Sequence, residues 1–183
     1  RTAERILDLG AGAGLPGLPL AIARPSADVT LLESSSRKGR FIERAIETCR
    51  VTNARVVQAR AESFDAGRDR YDVITARAVA PLAVTLEYAA PLLRLGGSVV
   101  AWRGQRDAGA ERAASQAAAE LGLGEPAVLA VHPYPGARNR HLFVAQKTRE
   151  TPSRFPRRPG VALKRPLGAG WHSPRASSDR VQR

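Results

Sequence analysis

A carboxylate and four glycines stand close together near the beginning of the chain. Asp8 ends an apolar run, and the glycines occupy positions 10, 12, 14 and 17. Glycine tolerates positive φ angles, and without a Cβ it lets a ligand touch the main chain. The apolar residues that follow predict a helix, whose first amides lack partners and can receive an anion. A strand, a glycine turn and a helix in this order predict a nucleotide-binding unit.

The acid before the turn favours one nucleotide over another. Gly12, Gly14 and Gly17 match G-x-G-x-x-G, a dinucleotide pattern, and a purely structural turn would also use glycine. A dinucleotide places its pyrophosphate at such a turn and gains nothing from a nearby carboxylate. S-adenosylmethionine (SAM) carries an ammonium group that Asp8 would attract. Asp8 and the turn from Gly10 to Gly14 therefore predict a SAM site, with a dinucleotide site as the alternative.

Other residues that could do chemistry follow the predicted strands. Glu33 ends the second strand and can accept hydrogen bonds from two ribose hydroxyls. Ala61 and Glu62 follow the third strand, where backbone amides and a carboxylate can recognise an adenine edge, although Glu62 could also simply cap a turn. Arg77 follows the fourth strand, where we expect the transferable methyl group. Since ligands of parallel sheets bind at the carboxyl ends of the strands, these residues should meet there.

The segment after the fourth strand also limits which chemical group can accept the methyl group. An Asn-Pro-Pro-aromatic motif, which would hold an exocyclic amine, is absent from residues 75–81. A cysteine nucleophile for carbon-5 of a pyrimidine is absent there as well. These absences favour an acceptor with its own lone pair, such as a purine ring nitrogen.

Strands and helices alternate along most of the chain. Predicted strands cover residues 4–9, 29–32, 55–58, 71–75 and 98–102. Predicted helices cover residues 17–24, 37–50, 80–93 and 107–121. Alternation predicts a parallel sheet with helices on both faces, and two last strands at 127–131 and 141–145 predict an antiparallel edge. The expected fold is α/β, with the mostly parallel, seven-stranded, Rossmann-like sheet of SAM-dependent methyltransferases.

The helix predicted over residues 37–50 has an apolar stripe. Its members are Phe41, Ile42, Ala45, Ile46 and Cys49. Because the stripe should face the sheet, we expect Cys49 to be a small buried hydrophobe. Cys49 is the single cysteine of the chain, which excludes an intramolecular disulfide and a cysteine metal cluster.

Charge and composition predict a polyanionic partner and two parts of the chain. The formal net charge is +12, and residues 149–183 alone hold nine basic and two acidic side chains among prolines and glycines. We predict a methyltransferase domain over residues 1–148 and a basic C-terminal tail over residues 149–183. The tail is expected to be either solvated or ordered on RNA, unless Phe155 and Leu167 dock onto the domain.

Several segments together resemble the bacterial ribosomal RNA small subunit methyltransferase G family, also called the glucose-inhibited division protein B family. The matching segments are residues 8–20 (DLGAGAGLPGLPL), 31–34 (LLES), 37–38 (RK), 60–62 (RAE), 72–80 (DVITARAVA), 103–105 (RGQ), 140–144 (RHLFV) and 156–160 (PRRPG). The Gly-Leu-Pro-Gly turn and the Ala-Arg-Ala strand end are specific, whereas the glycine pattern alone is not. The resemblance covers residues 5 to about 168.

The resemblance implies methylation of N7 of a guanine in 16S ribosomal RNA, with SAM as the methyl donor. It places Arg60 and Arg77 near the reaction centre as candidate catalytic residues. The candidate cofactor-binding residues are Asp8, Gly10, Gly12, Gly14, Leu15, Glu33, Ala61, Glu62 and Arg77. Two features depart from the family: its helical segment before the first strand is expected to be missing, and Arg103 stands where lysine is usual.

Two other functions fit parts of the sequence: a small-molecule SAM-dependent methyltransferase, and a basic RNA-binding module with a vestigial SAM fold. SAM binding would separate the module from both enzymes, and activity on ribosomal RNA would separate the enzymes. The expected partner is 16S ribosomal RNA or the small ribosomal subunit, without membrane or metal, and a monomer is favoured. No apolar run approaches the roughly 18 residues of a membrane span, and no signal peptide is recognisable, so a cytoplasmic location is expected.

Overall fold

The computed structural model describes residues 4–168, which contain a seven-stranded sheet. The strands are β1 (Arg5–Leu9), β2 (Asp28–Leu32), β3 (Ala54–Val57), β4 (Tyr71–Arg77), β5 (Leu93–Arg103), β6 (Ala127–Ala130) and β7 (His141–Gln146). Their spatial order is β3-β2-β1-β4-β5-β7-β6. The first five are parallel, and β7 runs antiparallel to both β5 and β6. The predicted parallel sheet with an antiparallel edge is confirmed.

Helices cover both faces of this sheet, as the alternation of elements predicted. They are α1 (Gly17–Ala23), α2 (Ser36–Thr48), α3 (Leu82–Ala89), α4 (Ala108–Leu121) and the single turn α5 (Val161–Lys164). Within residues 4–168, no helix combines the length and the apolar character that crossing a membrane requires. The helix predicted over residues 80–93 ends at Ala89, and residues 93–97 form the first part of β5. The amide of Lys147 donates to the carbonyl of Gly97 at 2.8 Å, so this part of β5 pairs with the chain beyond β7.

Side chains alternate between the two faces of β1, and this decides where its acid lies. Leu7 and Leu9 belong to the larger core, between the sheet and helices α3 and α4. Ile6 belongs to the smaller core, which the sheet forms with α1 and α2. Because strand residues alternate between faces, Asp8 lies with Ile6 on the face that α1 covers. The glycine turn and α1 are therefore built directly over Asp8.

Helix α2 buries a narrower stripe than the sequence predicted. Ile42 is fully buried against the sheet, and Ala45 and Ile46 are half-buried. Phe41 is 50% exposed and Cys49 is also exposed, so the prediction that both face the core is wrong. Successive helix residues point about 100° apart, so the members of a wide stripe face different directions. Since β3 is a short strand at the edge of the sheet, it covers only one side of α2 and leaves the rest exposed.

Residues 149–168, here named the C-terminal strap, pack against α3 and α4. Phe155 is 1% exposed and belongs to the larger core, and Leu167 packs against the same core. The carboxylate of Glu87, fully buried in α3, accepts a hydrogen bond from Nε of Arg157 at 2.8 Å. These contacts hold the strap against the domain. The composition of the strap, which is dominated by proline and arginine, does not indicate them.

The expectation of a solvated or RNA-dependent tail is therefore wrong for residues 149–168. Docking through Phe155 and Leu167 is what the structure has instead, because an aromatic ring and a buried ion pair offset the cost of ordering a proline-rich segment. Residues 169–183 of the predicted tail lie outside the described residues. The division of the chain at residue 148 stays a prediction.

Candidate active site

The glycine turn after β1 adopts the left-handed backbone that its composition requires. Gly10, Gly12 and Gly14 have φ angles of +67°, +62° and +84°. A Cβ at Gly14 would lie 2.6 Å from Leu18, so this glycine lets the turn pack on α1. A Cβ at Gly12 would meet nothing closer than the Gly10 carbonyl, 3.8 Å away. The turn is thus closed toward α1 at Gly14 and open at Gly12.

Glu33, at the end of β2, fastens this turn to the sheet. Its Oε2 accepts a hydrogen bond from the Gly12 amide at 2.9 Å, and its Oε1 accepts one from the Ser35 amide at 2.8 Å. The side chain is only 6% exposed, so the two amides hold it in one orientation. Each carboxylate oxygen can accept a further hydrogen bond. Glu33 therefore keeps acceptor capacity beyond these two amides, and its predicted role toward ribose hydroxyls stays a prediction.

Asp8 lies beneath the turn and is 1% exposed. Its Oδ2 accepts a hydrogen bond from the Gly17 amide at 2.8 Å, whereas its buried Oδ1 has no hydrogen-bond partner among residues 4–168. Burial raises the pKa of this carboxyl to about 7, although the Gly17 amide and the positive charge of Arg77 act in the opposite direction. A Cβ at Gly17 would lie 2.7 Å from Oδ2, which explains the glycine there. Asp8 thus supports the turn and the beginning of α1 from below.

A cleft of about 160 Å³, here named the cofactor cleft, opens at the carboxyl ends of β1, β2 and β3. It is lined by Leu9, Gly10, Leu32, Ser34, Ala59, Arg60, Ala61, Glu62, Val79 and Tyr88. Oε1 of Glu62 accepts a hydrogen bond from the Gly160 amide of the C-terminal strap at 3.1 Å. Burial and then the neighbouring Glu62 carboxylate raise the pKa of Tyr88 to about 12. The strap therefore helps to fix one wall of the cofactor cleft.

A second, larger cleft of about 470 Å³ lies beyond the ends of β4 and β5 and is here named the basic cleft. It is lined by Arg77, Ala78, Trp102, Arg103, Gly104, Gln105, Val131, Pro133, Arg140 and His141. Three arginines line it and no acidic side chain does. Nε1 of Trp102 donates to Oγ1 of Thr75 at 2.8 Å, which fixes the indole, and the residue remains 38% exposed. Nδ1 of His141 lies 2.9 Å from the carbonyl oxygen of Gly104.

The two clefts are neighbours, separated by the loop after β4. Ala78 lines the basic cleft and the next residue, Val79, lines the cofactor cleft. A Cβ at Gly10 would lie 3.0 Å from Val79, so this loop rests directly on the glycine turn. Ala78 has a φ angle of +55°, a strained value for a residue with a side chain. The chain thus turns sharply at the boundary between the two clefts.

The predicted site residues divide between these places. Gly10, Ala61 and Glu62 line the cofactor cleft, Gly12 belongs to the adjoining turn, and Glu33 holds that turn from the end of β2. The two candidate catalytic arginines are not in one cleft, because Arg60 lines the cofactor cleft and Arg77 the basic cleft. Gly14 packs on α1, Leu15 is 42% exposed outside both clefts, and Asp8 is buried below. Their roles toward a cofactor stay predictions.

Sequence reasoning missed two aromatic residues of these clefts, Trp102 and Tyr88. Trp102 is the next-to-last residue of β5, so the strand-end argument applied to Glu33 and Arg77 would have found it. Tyr88 lies inside α3 and carries no comparable signal, because only the packing of α3 against residues 61–63 brings it to the cofactor cleft.

The fold is that of the SAM-dependent methyltransferases. A predicted O-methyltransferase from Agrobacterium tumefaciens shares the fold, with a TM-score of 0.67 and 24% identity over 81% of this chain and 76% of that chain. The family described as rRNA small subunit methyltransferase G matches residues 1–141, and the chain belongs to this family. Its relatives include the ribosomal RNA small subunit methyltransferases G of Rubrobacter xylanophilus and Chloroflexus aggregans. They are 45% and 44% identical, over 93% and 88% of this chain and 67% and 69% of theirs.

The residues present fit SAM, the methyl donor of this family. The open side of Gly12 leaves room for a ligand at the main chain, and Glu33 keeps acceptor capacity for hydroxyl groups. Above pH 7, where Asp8 is mostly ionised, its unpartnered Oδ1 carries a negative charge below the turn, which suits a ligand with an ammonium group. Gly12, Glu33 and the walls of the cofactor cleft would hold the cofactor.

Replacing Gly12 with valine is expected to abolish SAM binding while circular dichroism stays near native. The branched side chain would fill the open side of the turn and would be strained at a φ angle of +62°. Gly136→Val is the matched control, since Gly136 has a φ of +82° and open space around it, in a loop away from the turn. Calorimetric titration with SAM measures both. Equal SAM affinity of the Gly12 variant and the control would contradict the assignment of the cofactor to this turn.

Proposed function

We propose that this protein methylates N7 of a guanine in 16S ribosomal RNA. The observation that carries the proposal is the basic cleft, which adjoins the cofactor cleft, holds three arginines and a fixed indole, and has no carboxylate in its lining. Arginine forks suit phosphates, and an exposed indole face suits a nucleobase. The names of the relatives describe enzymes of small-subunit ribosomal RNA, which supports the same substrate here.

Guanine N7 is a lone-pair nucleophile, so this reaction needs no general base. Bound SAM supplies an electrophilic methyl group on a sulfonium sulfur. The task of the protein is then to hold the guanine in line with that methyl group. Well-oriented reactants can gain roughly 7–11 kcal/mol of the barrier from proximity alone. A cleft without carboxylates is compatible with this task, since no proton has to be removed.

Trp102 is suited to hold the base. Its Nε1 bond to Thr75 fixes the ring plane, so a guanine stacked on the exposed face would be placed without further ordering of the side chain. Stacking of a base on an aromatic residue is worth about 1–3 kcal/mol. Methylation at N7 makes the base cationic, and an aromatic face attracts a cation. Trp102 would therefore stabilise the charge that develops on the guanine.

Arg77 is suited to orient the base or its phosphate. Arginine often binds O6 and N7 of guanine together, but a hydrogen bond to N7 would occupy the reacting lone pair. We therefore assign Arg77 to guanine O6 or to a phosphate. The positive charge of Arg77 also lowers the pKa of Asp8 and so favours its ionised form. Arg77 can therefore support the turn above Asp8 as well.

Arg77→Ala is expected to lower the rate of methyl transfer to 16S ribosomal RNA at least tenfold, about 1.4 kcal/mol of barrier. The SAM affinity should change less, because Arg77 lines the basic cleft and not the cofactor cleft. Arg112→Ala is the control, since Arg112 is exposed on α4 away from both clefts. Single-turnover methyl transfer and SAM titration measure the two effects. An unchanged transfer rate would remove Arg77 from the mechanism.

The proposed reaction is tested by its product. Methyl transfer from labelled SAM is measured with unmodified 16S ribosomal RNA, with small ribosomal subunits and with small-molecule acceptors. Borohydride reduction followed by aniline cleaves the RNA at N7-methylguanine, which identifies both the atom and the nucleotide. Incorporation into the RNA without aniline cleavage would refute N7 as the acceptor. Transfer only to small acceptors would favour the small-molecule methyltransferase.

The proposed reaction also implies a cellular location, a partner and an oligomeric state for the enzyme. A ribosomal RNA substrate places it in the cytoplasm with the small subunit or its RNA as partner, and we propose that it acts there as a monomer. The part of the chain over residues 1–148 would carry the methyltransferase clefts, with the following residues contributing the strap that contacts Glu62.

A further inference from the structure

A basic and aromatic surface lies on α2 and is separate from the basic cleft. Arg37, Lys38, Phe41 and Arg44, here named the α2 patch, line a groove of about 410 Å³ together with Gly12 and Ala13 of the glycine turn. All four side chains of the patch are exposed. Arg37, Phe41 and Arg44 stand at spacings of four and three residues, which places them on one helix face. The groove therefore borders the turn on the side of β2, opposite β4 and the basic cleft.

The cations of the α2 patch are not paired with acids in the part of the chain that the structure describes. Among residues 4–168, none of Arg37, Lys38 and Arg44 lies within 4 Å of a carboxylate oxygen. The acids of the same helix, Glu43 and Glu47, are outside the lining of the groove. Other arginines of the chain do pair with acids, for example Arg24 with Glu4 at 2.8 Å. The missing acids leave a concentrated positive charge on this face.

Phe41 gives this charged face an aromatic surface. An apolar ring that is 50% exposed contributes little to the core, and three cations around it make an apolar protein partner unfavourable. Cationic side chains that track a phosphate backbone, with an aromatic ring for the bases, are the features that bind single-stranded nucleic acid. The chemistry of the groove thus matches RNA better than a peptide or a small apolar ligand.

We propose that the α2 patch is a second RNA-binding site, which holds a single-stranded segment of the substrate outside the target guanine. One base stacks on Phe41, and flanking phosphates contact Arg37, Lys38 and Arg44. Since the patch and the basic cleft lie on opposite sides of the glycine turn, one strand bound at both crosses the mouth of the cofactor cleft. The site rests on the proposed function, because it assumes that the substrate is RNA.

The test uses the full chain and a labelled oligouridine of about 12 nucleotides, a probe without guanine. Phe41→Leu, which keeps apolar volume but loses the ring, should weaken binding about tenfold, whereas Phe41→Tyr should bind within about twofold of wild type. Arg44→Ala should lower the slope of log affinity against log salt by about 0.7 for one lost phosphate contact. Arg112→Ala removes the same charge from α4 and should leave the slope unchanged. SAM titration and thermal melting of each variant should match wild type.

Equal RNA affinity of the Phe41→Leu variant and wild type would overturn the site. Equal losses in Arg44→Ala and Arg112→Ala would also overturn it, because net charge rather than the patch would then control binding. Failure of the proposed function gives a different result, namely no methyl transfer by the wild type to 16S ribosomal RNA. In that case a ring-dependent loss of oligouridine binding would still support the patch.

Discussion

A chain that ends at Lys147 is expected to lose cooperative thermal unfolding and with it SAM binding. The cut removes Phe155, a fully buried ring of the larger core, whose loss alone costs about 3–5 kcal/mol. It also leaves the buried carboxylate of Glu87 without Arg157, and breaking a buried ion pair costs about 3–5 kcal/mol. Together these losses are comparable with the 5–15 kcal/mol that stabilises a domain. Calorimetry and SAM titration of the shortened chain measure the outcome.

A chain that ends at Gly168 is the matched control, because it keeps Phe155, the pair of Arg157 with Glu87 and the contact of Gly160 with Glu62, and it removes only residues 169–183. It should melt near the temperature of the full chain and bind SAM equally. Phe155→Ala in the full chain isolates the core contribution from the ion pair. A Lys147 truncation that melts like the Gly168 truncation would show that the strap is dispensable for stability. RNA binding of the Gly168 truncation across a salt series tests the charge of the remaining tail separately.

The truncation illustrates what the sequence could not provide. The strap is rich in proline and arginine, and these residues alone predict a solvated segment. Its order depends on partners far away in the chain: Arg157 meets Glu87 and Gly160 meets Glu62, 70 and 98 residues apart. Such pairs leave no local period or motif. The local signals that a single sequence offers therefore end at the last strand, and the wall that Glu62 and the strap build together is seen only in the fold.

Features that depend on neighbours in sequence were predicted well. The strand, the glycine turn and the helix follow from residues 5–23, and the Gly12 amide meets Glu33 because both stand at the ends of adjacent parallel strands. The same kind of reasoning wrongly predicted that Phe41 is buried, because the apolar character of a helix does not reveal how much of it the sheet covers. Asp8 was assigned to the ligand from its position in the motif, whereas the alternation of β1 puts it under α1.

Asp8→Asn is expected to stabilise the protein without ligand at pH 8 by up to about 4 kcal/mol. Burial raises the pKa of Asp8 from 3.8 to about 7, and each unit corresponds to about 1.4 kcal/mol. A raised pKa means that the folded state binds this proton more tightly than the unfolded state. The contribution of Asp8 is therefore most favourable below pH 4, declines as the pH rises to about 7, and stays lowest above it. The asparagine variant lacks this decline, which urea unfolding across pH 4–8 measures.

The same substitution is expected to weaken SAM binding, because the amide keeps the hydrogen bond from Gly17 but removes the negative charge at the unpartnered Oδ1. Asp72→Asn is the control, because the pKa of Asp72 is shifted in the opposite direction from that of Asp8. Although burial raises the pKa of Asp72, hydrogen bonds from the Arg5 amide and from Arg94 lower it overall, so that variant should lose stability at neutral pH. If Asp8→Asn bound SAM as tightly as wild type, and its stability depended on pH as that of wild type does, Asp8 would have only a structural role. A more stable protein that binds its cofactor less well would instead show that the buried charge is retained for the ligand.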